Sequence, residues 1–373
     1  MKIAFAVLNW FLGLLFVLLF LLALYSRYYF SSLFLLLIVI LLVPPLREFV
    51  SQHLGIPLPL WVRLTLTPVL FFLFVSLVFR GMGNPDSIYK NPEIEQRLMA
   101  IYEAKMEQWP VPYKSRTIRT SYGRIYIIVS GPEKAPPVFL LHASAMASWS
   151  WLNNIEGLNR HYRTYAIDTI GDAGRSVLDD VTRFPDDGQK LAELYAEIMD
   201  SLGIPMAYFI GASQGGFIAT HMALYRPERV KKLILCGPMG YTGTISSVLR
   251  ILLTTMFPVK PVQKSTIHWA FGTDPRVNHM VKDWFELILE GVISRQARPQ
   301  PFTQQDLHRL PMPVLLLLGQ RDGLVGNPEK AIRLVKSVPR IQVAILDTGH
   351  LIGAEKPDQF NQKVIDFIET ESP

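Results

Sequence analysis

The chain has 373 residues, half of them hydrophobic and only 18% charged, a length that calls for more than one structural unit. Much of its +6 charge lies in the first 80 residues, where Lys2, Arg27, Arg47, Arg63 and Arg80 face one acid, Glu48; this is not the clustered basic surface of a nucleic-acid binder. One cysteine, Cys236, excludes an internal disulfide and a cysteine-built metal cluster, and its apolar setting in "KKLILCGP" suits a buried, inert thiol.

Three apolar runs fill residues 1–81. Residues 4–25 carry no charge and as a helix would reach roughly 33 Å, against about 30 Å for a bilayer's hydrocarbon core. Residues 29–44 are shorter and stop at Pro44-Pro45. Residues 60–79 hold Pro68 inside and Arg63 near one end, where its head can snorkel toward water. A cleaved signal peptide is the competing reading of the first run, but the run is long for a signal core and the next follows at once. The expectation is a multi-pass membrane region of about three spans, the alternative being two spans and a re-entrant segment. Trp10, Tyr25, Tyr28, Tyr29 and Trp61 supply aromatic residues at or near the span ends, Trp10 lying inside the first run. Basic residues divide almost evenly between the two faces, which leaves the sidedness of residues 82–373 open.

"RGMGNPDS" at 80–87 reads as a linker. Asn91 and Pro92 then open an amphipathic helix with Ile94, Leu98, Tyr102 and Met106 on one face. From 116, "TIRT" and "RIYIIVSG" flank a Tyr-Gly turn and predict a hairpin. Apolar runs at 137–143, 162–168, 206–212, 231–237, 313–319 and 341–346 then alternate with helical segments, the mark of a parallel sheet covered on both faces. Residues 241–312 interrupt this alternation as an insertion with its own helical patterns. Leu249, Ile251, Leu252, Leu253, Met256 and Phe257 make part of it oily.

The glycine cluster "YFIGASQGGF" at 208–217 sits between a strand and a helix. Phe217 and Ile218 stand where a phosphate-binding loop needs lysine, and the spacing misses a dinucleotide fingerprint. The pattern that holds is G-x-S-x-G, from Gly211 to Gly215. In this context it makes a sharp turn that exposes Ser213 at a helix N-terminus. A serine nucleophile needs a base and an orienting acid. "GQRDGLVG" and "LDTGHLIG" place Asp322 and His350 just past later strands, at the same sheet edge. Asp347 lies only three residues from His350, and Asp168 falls in an earlier loop. His142 ends a strand, His221 sits in the helix after Ser213, and both suit structural places.

Residues from about 90 to 370 resemble the α/β-hydrolase superfamily through "GASQGG", "YRPERV", "GQRDGL" and "DTGHLI", with "LLHASAMASWSW" and "YAIDTIGDAGRS" similar to its "HG" and "D-x-x-G-x-G-x-S" loops. The resemblance implies a doubly wound, mostly parallel α/β sheet with a helical cap at 241–312. It implies a Ser213–Asp322–His350 triad and oxyanion donors at the N–H groups of Gln214 and Ser144. Ala143 replaces the glycine of the "HG" loop, so either that loop is reshaped or the position does not need positive φ. The expected activity is a membrane-anchored serine hydrolase, carboxylesterase- or lipase-like. It would cleave an ester, thioester or amide of a hydrophobic, lipid-like acyl group through an acyl-enzyme. No metal, cofactor or nucleic-acid partner is implied. Acyl transfer, carbon–carbon bond hydrolysis and ligand sensing without turnover stay open as alternatives.

Overall fold

The computed structural model describes residues 2–25, 29–54, 59–81, 87–242, 250–251, 254, 260–272, 274–297 and 300–370. They fall into two compact units, one of Met1–Gly83 with Leu252–Gln263, the other of Asn84–Ile251 with Lys264–Pro373. Most of the 80–87 linker, residues 243–249, 252–253 and 255–259 of the insertion, and so every oily position named there except Ile251, lie outside the described residues.

The first unit contains the helices Lys2–Tyr25, Tyr29–Leu42, Pro44–Leu54 and Leu60–Gly81. The second packs on the first and the fourth, with Leu35, Ile38 and Phe74 buried and Phe16 edge-on to Phe71 at 5.8 Å. All three apolar runs are helical, but the expectation of three spans is not carried. Among the described residues no single helix is long and apolar enough to cross a membrane. The apolar stretches Trp10–Leu21 and Leu60–Phe74 are short, and Arg63 and Pro68 interrupt the latter. Among the described residues, the one combination that qualifies by length and composition is Ser32–Leu42 with Pro44–His53, bent by 91°. The bend has a local cause. Pro44 and Pro45 lack the N–H groups needed to continue one helix, yet suit the first turn of the next. Trp10, Phe11, Leu14, Trp61, Leu64 and Phe72 remain exposed.

The second unit is built on a nine-stranded sheet. Its strands are β1 (Tyr113–Arg119), β2 (Gly123–Ser130), β3 (Pro137–Leu141), β4 (Arg163–Ile167), β5 (Val177–Leu178), β6 (Ala207–Ala212), β7 (Val230–Cys236), β8 (Val314–Gly319) and β9 (Ile341–Leu346). The order is β1-β2-β4-β3-β6-β7-β8-β9, with β5 beside β2. From β4 to β9 the ladder is parallel, and β1 and β2 form the antiparallel hairpin. The chain leaves β3 to β4 on one side and reaches β6 on the other, which puts the switch of direction between β3 and β6. In such sheets ligands bind there, outside the carboxyl ends of the strands.

Both faces of the central sheet are covered, so alternate residues of its inner strands feed different cores. In β3, Val138 and Leu140 join Leu98, Trp149, Trp284 and Phe360, while Phe139 and Leu141 join Tyr195, Phe209 and Met222. Such strands read as continuous apolar runs for this reason. Helix Pro92–Met106 docks on the first of these cores: the Asn91 side chain caps it through the Ile94 N–H at 3.0 Å, and Ile94, Leu98, Tyr102 and Met106 are buried. Lys232 on β7 is buried and donates from Nζ to the carbonyls of Phe367 and Ile368 at 2.9 and 3.1 Å, tying down the C-terminal helix Pro357–Glu369.

His221 packs among Phe217, Tyr225 and Phe302, and neither ring nitrogen has a partner among the described residues. Burial pushes its imidazole down to about 4 from the ordinary 6.5, against weaker opposing pulls from Asp187 and Asp306. The unfolded chain therefore takes up this proton first as pH falls. Stability is unaffected above 6.5 and is lost progressively as pH falls toward 4. Replacing His221 with Phe should flatten the pH dependence of thermal unfolding in that window. An unchanged slope would show that another group controls acid stability.

Candidate active site

Ser213 joins β6 to the helix Gln214–Tyr225 at φ 49° and ψ −109°, a conformation that non-glycine residues avoid. Hydrogen bonds hold it there. Its N–H donates to Cys236 O at the end of β7 (2.9 Å), and its carbonyl accepts from the Met239 N–H (3.0 Å). The Gly215 N–H reaches His142 O beyond β3 (3.1 Å). The flanking glycines permit the close approach. A Cβ on Gly215 would lie 2.1 Å from Leu141 O, and one on Gly211 would lie 2.3 Å from Gly215 O.

Asp322 follows β8, and His350 follows β9. The His350 Nδ1 and Asp322 Oδ2 are 2.7 Å apart with both side chains buried. Asp322 Oδ1 accepts the N–H groups of Leu324 and Val325, each at 2.9 Å. An ionised carboxylate only accepts, so Nδ1 carries the proton and Nε2 keeps its lone pair. Gly237, at φ 50°, passes directly over this pair: a Cβ there would be 3.1 Å from Asp322 Oδ2. From the other side, Glu355 accepts the Gly349 N–H at 2.7 Å and fixes the residue before His350.

The competing acids are engaged elsewhere. Asp347 is exposed and paired with Arg321 at 2.7 Å. Asp168 accepts the N–H groups of Ser148 and Arg175, each at 2.8 Å, and so holds its own loop. His142 is also committed. Its Nε2 accepts the Thr169 N–H at 2.9 Å, which leaves Nδ1 to donate to Ala143 O at 2.8 Å.

The loop after β3 departs from expectation in an informative way. Ala143 is not at positive φ; the left-handed residue is Ala145, at φ 60°. Its N–H donates to Asp172 Oδ2 at 2.7 Å, and its carbonyl accepts from Trp284 Nε1 at 2.8 Å. Asp172 Oδ1 accepts the Ser294 hydroxyl at 2.6 Å and the Ala173 N–H at 3.0 Å. The amide of Gln296 donates to the Ser144 hydroxyl. Burial raises the Asp172 carboxyl, against the pull of His142 and these hydrogen bonds. The N–H groups of Ser144 and Gln214 donate to no protein acceptor among the described residues. Asp172 is the residue that sequence reasoning missed. Its signal is spacing: "DTIGDAGRS" is one residue longer than the "D-x-x-G-x-G-x-S" pattern it resembles.

A narrow cavity of about 40 Å³ lies against His350, Ala212 and Cys236, lined further by Met146, Trp151, Met280 and Phe360. Its walls are mainly apolar. Met280 and Trp284 both come from the insertion, on helix Pro275–Gly291. Among the described residues, no group of three His, Cys, Asp or Glu could hold a metal ion.

The model of the alpha/beta hydrolase fold family matches residues 136–261. An uncharacterized carboxylesterase, nap, of Bacillus subtilis (strain 168) is 30% identical over 300 residues, which cover 74% of this chain and 93% of that protein. The chain belongs to the α/β-hydrolase family. The crystal structure of carboxylesterase CesB (YbfK) from Bacillus subtilis matches with a TM-score of 0.69 at 26% identity, over 75% of this chain and all of that one. Naproxen esterase from Bacillus subtilis matches with a TM-score of 0.67 at 28% identity, over 73% and 97% of the two chains. This α/β-hydrolase is an enzyme, an esterase-like hydrolase.

The bonds to Ala145 and Ser144 predict a specific kinetic effect. Asp172→Ala and Gln296→Ala should each lower kcat by about tenfold or more while KM for a small ester changes little, as loss of a transition-state contact requires. Steady-state kinetics on the purified variants checks this. A rise in KM alone would mean that these residues bind substrate rather than hold the loop.

Proposed function

We propose that the chain is a membrane-associated serine esterase acting on carboxylic esters with a hydrophobic acyl group. The observation that carries this reading is the 2.7 Å bond between His350 Nδ1 and Asp322, at the sheet edge where the strained turn exposes Ser213. In this mechanism Ser213 Oγ attacks the acyl carbonyl and gives its proton to His350 Nε2. Asp322 steadies the imidazolium. The N–H groups of Ser144 and Gln214 take the negative charge of the tetrahedral oxygen. His350 then protonates the leaving alcohol, and an acyl group remains on Ser213. Water, deprotonated by Nε2, releases the acid. Thioesters and amides can follow the same course.

The apolar cavity beside His350 favours an uncharged hydrocarbon group. The exposed apolar side chains of the N-terminal unit and its bent apolar helix pair favour a lipid surface. A membrane location would bring lipid-like esters to the enzyme.

A fluorophosphonate probe should label the wild-type protein at Ser213 and leave Ser213→Ala unlabelled. Hydrolysis of short and medium acyl esters should fall by roughly 10⁴-fold or more in Ser213→Ala and His350→Ala. Equal labelling of wild type and Ser213→Ala would remove the nucleophile. Product analysis with and without an added alcohol separates hydrolysis from acyl transfer.

A further inference from the structure

Among the described residues, Met280 and Ala354 line two spaces at once: the narrow cavity beside His350 and a groove of about 480 Å³. The two spaces differ in chemistry. The cavity is mainly apolar, whereas Lys105, Gln108, Asn153, Arg276 and His279 bring polar groups to the groove. Asn153 also ties the border together. Its amide Nδ2 reaches Met280 Sδ at 3.9 Å and Ala354 O at 3.5 Å, two long contacts that draw the thioether toward the facing backbone. Ala354 offers only a methyl group, so the half-buried Met280 is the one side chain of any length on this border.

The surroundings of the cavity decide what it holds. Ala212 precedes Ser213, Ala143 precedes Ser144, and the Cys236 carbonyl accepts the Ser213 N–H; all three residues line the cavity together with His350. An ester carbonyl held at Ser213 therefore has one of its two substituents facing this space. The alcohol has to leave once His350 has protonated it, while the acyl group stays on Ser213 until water releases it. A narrow apolar cavity suits the group that stays. Its size is a further constraint. A cavity of about 150 Å³ admits a benzene ring, so one of about 40 Å³ holds an acyl chain of roughly two to four carbons.

We propose that Met280 ends the acyl site at the groove and so sets the length of the acyl chain, which makes the substrate a short-chain ester. The bulk of a lipid-like substrate is then its alcohol. The inference rests on the reading of Ser213 as an esterase nucleophile and adds the identity of the acyl group. A longer chain meets the Met280 thioether, and displacing it costs the contact with Asn153 and turns apolar surface toward a polar groove. With a small side chain at position 280, cavity and groove join, and a longer chain can run out between them.

The test is a chain-length profile of the full chain purified in detergent. Values of kcat/KM are measured for p-nitrophenyl acetate, butanoate, hexanoate and octanoate, and for acetates whose alcohol is lengthened instead. Wild type should favour butanoate over octanoate by about 100-fold, because methylenes that a filled pocket refuses are expensive. Met280→Ala should bring this ratio to about tenfold or less by raising kcat/KM for octanoate. Met280→Val, a milder truncation, should fall between the two and serves where the alanine variant does not fold. Met280→Leu, similar in volume, should keep the wild-type profile, as should His279→Ala, which alters the groove alone. Fluorophosphonate labelling of each variant reports on Ser213 independently of chain length. Failure of wild type to label would overturn the esterase reading and this inference with it. With labelling intact, equal rates for butanoate and octanoate in wild type, or an unchanged ratio in the folded truncation variants, overturns the inference alone. A change confined to the alcohol series would also overturn it, by assigning the cavity to the leaving group.

Discussion

The turn at Ser213 sets the terms for everything around it. Its backbone lies in a region that costs on the order of 1–3 kcal/mol, so it persists only where the surroundings dictate it. Here they do. The end of β7 takes its N–H, the loop after β3 takes the N–H of Gly215, and Met239 takes its carbonyl. These bonds require β3, β6 and β7 to lie side by side in that order, which is the order of the sheet. They also require backbone to touch backbone, which is why glycines flank the serine. Fold and site are therefore one constraint: the strand order that buries both faces also delivers the acceptors that force the serine outward.

The same sheet brings Asp322 and His350 together although they lie 28 residues apart. Each follows one of two adjacent parallel strands, so both loops open on one edge. This part was legible in the sequence because it depends on local signals. Strands buried on both faces read as apolar runs, and a strand-to-helix serine turn has a fixed spacing. Which acid serves the histidine was harder, because Asp347 is nearer in sequence; the salt bridge that draws it to Arg321 depends on tertiary placement. The two-residue strand β5 is too short for any periodic signal. At the N-terminus, apolar composition predicted helices correctly but could not show that Val43-Pro44 turns the chain through 91°. A proline pair reads equally well as an end or as a new beginning.

The loop after β3 was legible in place and not in shape. Alanine at the expected glycine suggested either a reshaped loop or a tolerant position. The position does not need positive φ: Ala143 keeps ordinary φ, and the left-handed residue is Ala145. Alanine in that conformation needs outside support, as glycine would not. It receives support on both of its peptide groups, from Asp172 on one side and Trp284 on the other. The "DTIGDAGRS" loop and the alanine-bearing loop are thus joined through Asp172, although nothing in the sequence links the two.

That arrangement ties substrate fit to chemistry. Met280 and Trp284 are one turn apart on helix Pro275–Gly291, and so share a face. Met280 lines the apolar cavity beside His350, while Trp284 holds Ala145. Ser294 and Gln296, which follow the same helix, bond Asp172 and Ser144. An acyl group that pushed this helix outward to gain room would therefore pull at the loop that carries Ser144 and Ala145. One that seats without moving it finds the loop already in place. On the proposed mechanism, discrimination between acyl groups would then act on the rate of the chemical step as well as on binding, because a single helix carries both the wall of the cavity and the support of the loop.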